Sequence, residues 1–132
     1  YTTPNGNVKV EIFLKDEKSE SCKSFLRSLE SQGMPAITSD FIVYTCLIQT
    51  ERNRKGSGLI REAIVFFNSF VNLHIFRPKI KDIYAAVEIM NTYKLDFDDS
   101  LVVACMKSNG IAKLVSLDKH FDKVKGLQRI KF

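Results

Sequence analysis

Apolar side chains recur along this chain in short blocks divided by polar punctuation, and the spacing inside each block sets the element it predicts. Residues 1–7 carry Pro4 and Asn5-Gly6, turn formers that leave at most a stub of strand. Asn7 suits the cap of residues 8–14, which read as a short apolar helix. Cys22, Phe25, Leu26 and Leu29 then recur at the spacing of one buried helical face, and Gln32-Gly33 ends that helix. Residues 35–38 predict a short strand, and Ser39 is an N-cap for a helix over 40–50 dense in large apolar groups. A basic connection at 51–58 breaks it. A fourth helix is expected over 59–70, a β-rich run over 71–76, and a fifth helix over 80–93 that buries Ile83, Val87 and Met90.

The next block differs in kind. Asp96, Asp98 and Asp99 run straight into the apolar stretch Leu101 to Met106, which predicts a helix buried almost all round with an acidic mouth. Asn109-Gly110 stops it as a left-handed C-cap does. The run Leu114-Val115-Ser116-Leu117 ends in Asp118, and residues 124–130 make a final turn and strand. Helices separating short strands imply a mainly parallel sheet of four to five strands covered on both faces, a three-layer α/β/α sandwich formed by one domain over residues 1–132. A parallel strand beside the acidic helix would deliver Asp118 at its carboxyl end, where open α/β sheets place ligands. Asp99 and Asp118 would then face one another.

Composition narrows the function classes. With 132 residues, 45% of them hydrophobic, the chain can bury a core of its own. Twenty Lys and Arg against 15 Asp and Glu leave a net charge of +5, compatible with a polyanionic partner such as RNA. The three cysteines, Cys22, Cys46 and Cys105, include no C-x-x-C spacing, which argues against a zinc site or a disulfide framework and for a reducing, cytoplasmic setting. No apolar run approaches the roughly 18 residues of a membrane span. No Gly-rich phosphate loop follows a strand, which argues against a nucleotide-binding module.

Several candidate residues also have ordinary structural readings. Asp96 suits a helix cap and Asp98 a solvent-side or auxiliary acid. Asp118 is also a turn starter, and Asp122 a surface partner for a lysine. His74 and His120 read as surface or core histidines rather than ligands, and Cys105 as a buried, inert thiol.

The C-terminal third, from Tyr93-Lys94-Leu95-Asp96-Phe97-Asp98-Asp99-Ser100-Leu101 through Ser116-Leu117-Asp118-Lys119-His120-Phe121, resembles the end of a PIN domain. Helix order, Pro78 before the fifth helix and overall length extend the likeness along the chain. PIN domains are small metal-dependent ribonucleases, found among other places as VapC-like toxins of prokaryotic toxin–antitoxin pairs. The resemblance implies endoribonuclease activity with Mg²⁺ or Mn²⁺ as cofactor, with Asp99 and Asp118 catalytic and metal-holding, and Asn5 and Asp98 as further metal candidates. Two acidic positions of the family pattern are replaced. Its opening Asp-Thr-Asn-Val reads here as Asn5-Gly6-Asn7-Val8, with the stub before Asn5 standing for the central first strand, and its helical glutamate falls at Thr45. A weakened site follows, and the alternative is a catalytically inactive PIN-like domain that binds RNA or protein. Arg52, Arg54, Lys55, Lys119 and Lys123 are the candidates for the RNA backbone. Implied partners are RNA and an antitoxin-like protein, and Phe66, Phe67 and Phe70 suggest a self-associating face and a homodimer.

Overall fold

Ile12, Phe13 and Leu14 are all buried, and in the computed structural model, which describes residues 12–15, 27, 31, 33, 35–54, 57–69, 73–116 and 118–130, they form a strand, β1 (Ile12–Leu14). This corrects the helix expected over 8–14. A strand covered on both faces is apolar at every position and lacks the alternation that would distinguish it from a buried helical turn.

The chain continues through β2 (Ala36–Ser39), α1 (Asp40–Arg54), α2 (Ser57–Asn68), β3 (Leu73–Phe76), α3 (Ile80–Tyr93), α4 (Phe97–Ser108), β4 (Lys113–Val115), a 3₁₀ turn (Lys119–Lys123) and β5 (Gln128–Ile130). Arg27 and Ser31, within the expected second helix, are helical, and most of that helix lies outside the described residues. The five strands form one sheet in the order β3-β2-β1-β4-β5, and every pairing is parallel. β1 is therefore central: Phe13 pairs with Ile37 on one side and Leu114 on the other. Parallel neighbours need crossovers, and the helices supply them while covering the sheet, which gives the three-layer α/β/α sandwich. Among the described residues no helix is long and apolar enough to cross a membrane.

Helix α1 runs past its expected end at residue 50 through Glu51-Arg52-Asn53-Arg54. Glu and Arg propagate a helix well, and cations near its C-terminus suit the macrodipole. Its start is tied to the end of β3 by Arg77, whose Nε lies 3.5 Å from Asp40 Oδ2.

The core centres on α4, where all eight residues from Asp99 to Met106 are buried. A fully buried large aliphatic side chain contributes about 1.5–3 kcal/mol, so this helix is a principal source of the domain's stability. It packs against α3, which turns Asp82, Ala86 and Ile89 inward. The expected inward set was Ile83, Val87 and Met90, but Ile83 and Val87 are exposed, so the helix is rotated by about one residue. Asp82 explains the rotation: its Oδ2 accepts the Lys79 amide at 2.7 Å, capping the helix start and satisfying a carboxylate that would otherwise be costly to bury. Two left-handed residues then position α4. Lys94 (φ 57°) closes α3, its amide donating to the Met90 carbonyl at 2.9 Å, and Gly110 (φ 67°) turns the chain out of α4 towards β4.

Candidate functional site

The strand order reverses between β1 and β4: the chain builds outward from β1 through β2 to β3, then crosses back to β4 and outward to β5. Ligand crevices of open α/β sheets lie at the carboxyl ends of the strands flanking such a reversal. Here the residues leaving those ends are Lys15, after β1, and Ser116 and Asp118, after β4. The Lys15 amide donates to the Val115 carbonyl at 3.1 Å, extending the β1–β4 ladder by one residue and fixing where the lysine side chain departs.

Helix α4 points its acidic start at the same place. Asp96 holds the N-cap position with extended backbone, and its carbonyl accepts the Ser100 amide at 2.9 Å, but its side chain makes no capping bond. Asp98 takes over part of that role, its Oδ1 accepting the Asp99 amide at 2.9 Å. Asp99, one residue further round, is buried. From the other side Asp118 starts the 3₁₀ turn: its amide donates to the Ser116 hydroxyl at 3.0 Å and its Oδ1 accepts the His120 amide at 2.9 Å. The turn-starting reading of Asp118 and its place in the site are thus compatible.

The two aspartates converge through His120. Its Nδ1 lies 3.0 Å from Asp118 Oδ1 and 3.9 Å from Asp99 Oδ2, and one ligand atom from each of Asp99, Asp118 and His120 falls within 4.8 Å of the other two. Asp96, Asp98 and Asp99 form a second such group around the same buried carboxylate. Opposite His120, Lys15 Nζ lies 4.0 Å from Asp99 Oδ1. Burial pushes the Asp99 carboxyl above its ordinary pKa; Lys15 opposes that rise, Asp98 and Asp118 add to it, and His120 opposes it again. The two carboxylates are donors suited by type to a hard divalent ion such as Mg²⁺ or Mn²⁺, whereas the imidazole is a softer nitrogen donor. The lysine in its charged form cannot act as a ligand.

Thr45 lies exposed on α1, its hydroxyl donating to the Phe41 carbonyl at 2.8 Å, so the position matched to a glutamate carries a neutral group engaged with its own helix. Asn5 and Lys55 lie outside the described residues, and so do the side chains of Arg52 and Arg54 and of the phenylalanines at 66, 67 and 70. The premise that placed Asn5 after the central strand is corrected: the central strand is Ile12–Leu14, and the residue at its carboxyl end is Lys15. Lys119 and Lys123 are exposed on the 3₁₀ turn beside Asp118, Lys123 donating to the Lys94 carbonyl at 3.3 Å. Asp122 pairs with Arg129: Nε–Oδ1 is 2.7 Å and Nη2–Oδ2 is 3.1 Å, and this bidentate bond fastens the turn to β5.

Sequence reasoning missed Lys15; it read His120 as a surface or core histidine, and the side chain is exposed, but its approach to both aspartates was not foreseen. His120 carried a readable signal, its position two residues beyond Asp118 on a tight turn. Lys15 carried none until β1 was known to be a strand.

Comparison with known proteins agrees with this architecture. The PIN domain family model matches residues 6–127. No curated protein matches this chain. Among solved structures, VapBC2 from Rickettsia felis bound to a DNA fragment from its promoter superposes with a TM-score of 0.68 at 13% identity, covering 91% of this chain and 98% of that one. Mycobacterium tuberculosis VapC20, described as a sarcin-ricin loop cleaving toxin, gives 0.65 at 17% identity, with 85% and 93% covered. DNA-bound VapBC from Salmonella typhimurium gives 0.66 at 12% identity, with 92% and 98% covered.

Proposed function

Because this chain belongs to the PIN-domain family, we propose that it is a metal-dependent endoribonuclease with a weakened site, acting as the toxin of a toxin–antitoxin pair. The observation that carries this reading is the meeting of a buried Asp99 and a part-buried Asp118 at the sheet's reversal point. The similar structures support it, since one is described as a sarcin-ricin loop cleaving toxin and two as DNA-bound VapBC.

In this reading Asp99 and Asp118 hold a Mg²⁺ or Mn²⁺ ion, and Asp98 is an auxiliary acid. Such an ion supplies charge neutralisation at a phosphodiester and activates water. His120, bonded to Asp118, orients that carboxylate as outer partners of metal sites do. Lys119 and Lys123 draw the RNA backbone towards the turn without reading its sequence, joined by Arg52, Arg54 and Lys55. Exposed apolar side chains on α3, Ile80 at 67% and Tyr84 at 73%, suit a homodimer or an antitoxin-like partner in the cytoplasm.

Incubating labelled single-stranded RNA with Mn²⁺ and the wild type, Asp99→Asn or Asp118→Asn tests this. The expected outcome is wild-type cleavage that falls about 100-fold or more in both variants, the order of effect of removing one charge-stabilising group. Equal cleavage in all three samples, or none in any, defeats the proposal.

A second reading is favoured by two observations, the neutral Thr45 and the ammonium of Lys15 against Asp99. It is a non-catalytic PIN domain that binds RNA or a protein partner. Metal-dependent turnover lost on Asp118→Asn eliminates it.

A further inference from the structure

Lys15 leaves the carboxyl end of the central strand, and its backbone is held on both sides. The preceding carbonyl, of Leu14, accepts the buried Thr38 hydroxyl at 2.7 Å, and the Lys15 amide donates to Val115. Its side chain is only 21% exposed. The ammonium sits between two attractive groups, 4.0 Å from Asp99 Oδ1 and 5.7 Å from the centroid of the fully buried Phe121 ring. It therefore lies against the buried carboxylate of the acidic cluster.

We propose that Lys15 is the built-in counter-cation of this pocket: its ammonium neutralises Asp99 in place of a divalent ion, and such an ion binds only by displacing it. This inference rests on the reading of the Asp99–Asp118 pair as a metal centre. A divalent cation shared by the two carboxylates lies within a few ångströms of Nζ, where like charges repel strongly in a partly buried setting. The lysine also engages the one carboxylate of the pair that is buried. Removing the charge should tighten metal binding, and replacing it with a carboxylate should tighten it further. Lys15 is on this account a positioning and selectivity residue, setting how much divalent ion the domain needs before its acids are loaded.

The test is calorimetric titration of Mn²⁺ into the full chain, as wild type, Lys15→Gln, Lys15→Asp and Lys15→Arg, each checked for wild-type circular dichroism. The expected result is a dissociation constant lowered on the order of tenfold to a hundredfold in Lys15→Gln and more in Lys15→Asp, with Lys15→Arg as weak as wild type. A second measurement needs no substitution: saturating Mn²⁺ should raise acylation of the Lys15 amine, followed by peptide mass spectrometry, because the displaced ammonium becomes exposed. Measurable binding that is equal in all four proteins overturns the lysine proposal and leaves the nuclease reading standing. Absence of binding even in Lys15→Asp overturns both.

Discussion

The Thr38 hydroxyl, fully buried at the end of β2, donates to the Leu14 carbonyl 2.7 Å away on β1. This bond sits one residue before the pocket lysine and helps to set the register of the central strand where it meets the site. Thr38→Val keeps the shape and β-propensity but leaves that carbonyl without its side-chain donor, so it should cost about 1–2 kcal/mol of stability. Urea denaturation monitored by circular dichroism checks this, and an unchanged midpoint would show that the bond contributes nothing.

Asp99 carries an energetic cost of its own. Its pKa is raised by burial, so the folded state holds this proton more tightly than the unfolded chain, and the penalty of ionising it is fully present above the folded pKa. The penalty is relieved as pH falls through the folded value and is gone below the unfolded one, near 3.9. Asp99→Asn should therefore raise Tm at pH 7 and lose that advantage near pH 3.5. Thermal melts of both proteins across that range decide the sign, and a destabilised variant at pH 7 would contradict the burial argument. The substitution that is expected to abolish cleavage is thus expected to stabilise the fold.

Lys94 holds a left-handed conformation at the close of α3 with a side chain that disfavours it. A left-handed non-glycine residue costs about 1–2 kcal/mol, partly offset in glycine by its more flexible unfolded state. Lys94→Gly should raise stability by about 0.5–1 kcal/mol, read from the denaturation midpoint. A loss instead would mean that the side chain stabilises the turn by more than its strain costs.

Cys105 lies fully buried in α4, and burial pushes its thiol up to about 12, with the carboxylates of Asp82 and Asp40 adding to the rise. Alkylation follows the thiolate, so at pH 8 the native protein should label at this position on the order of a thousandfold more slowly than the urea-unfolded chain. Peptide mass spectrometry after timed iodoacetamide exposure measures the ratio. Rapid native labelling would show that α4 opens locally.

Much of this arrangement was legible in the residues because it rests on local patterns. The acidic start of α4 and its apolar body are contiguous, and Asp118 closes a short strand, so both carboxylates could be placed at one end of the sheet from spacing alone. What escaped depends on burial that spacing does not encode. Residues 12–14 are apolar at every position, so a central strand and a helical turn present the same pattern, and the error at β1 concealed Lys15. The rotation of α3 escaped because a carboxylate, Asp82, occupies the inward face, which only its bond to the Lys79 amide permits. Exposed Ile83 and Val87 are the counterpart of that exchange.

The position of β1 between β2 and β4 also sets an order of events during synthesis. One of the two edges of β1 has no mate until residues 113–115 follow it in the chain. A nascent chain thus carries Lys15 and Asp118 apart until β4 joins the sheet and brings them to one end.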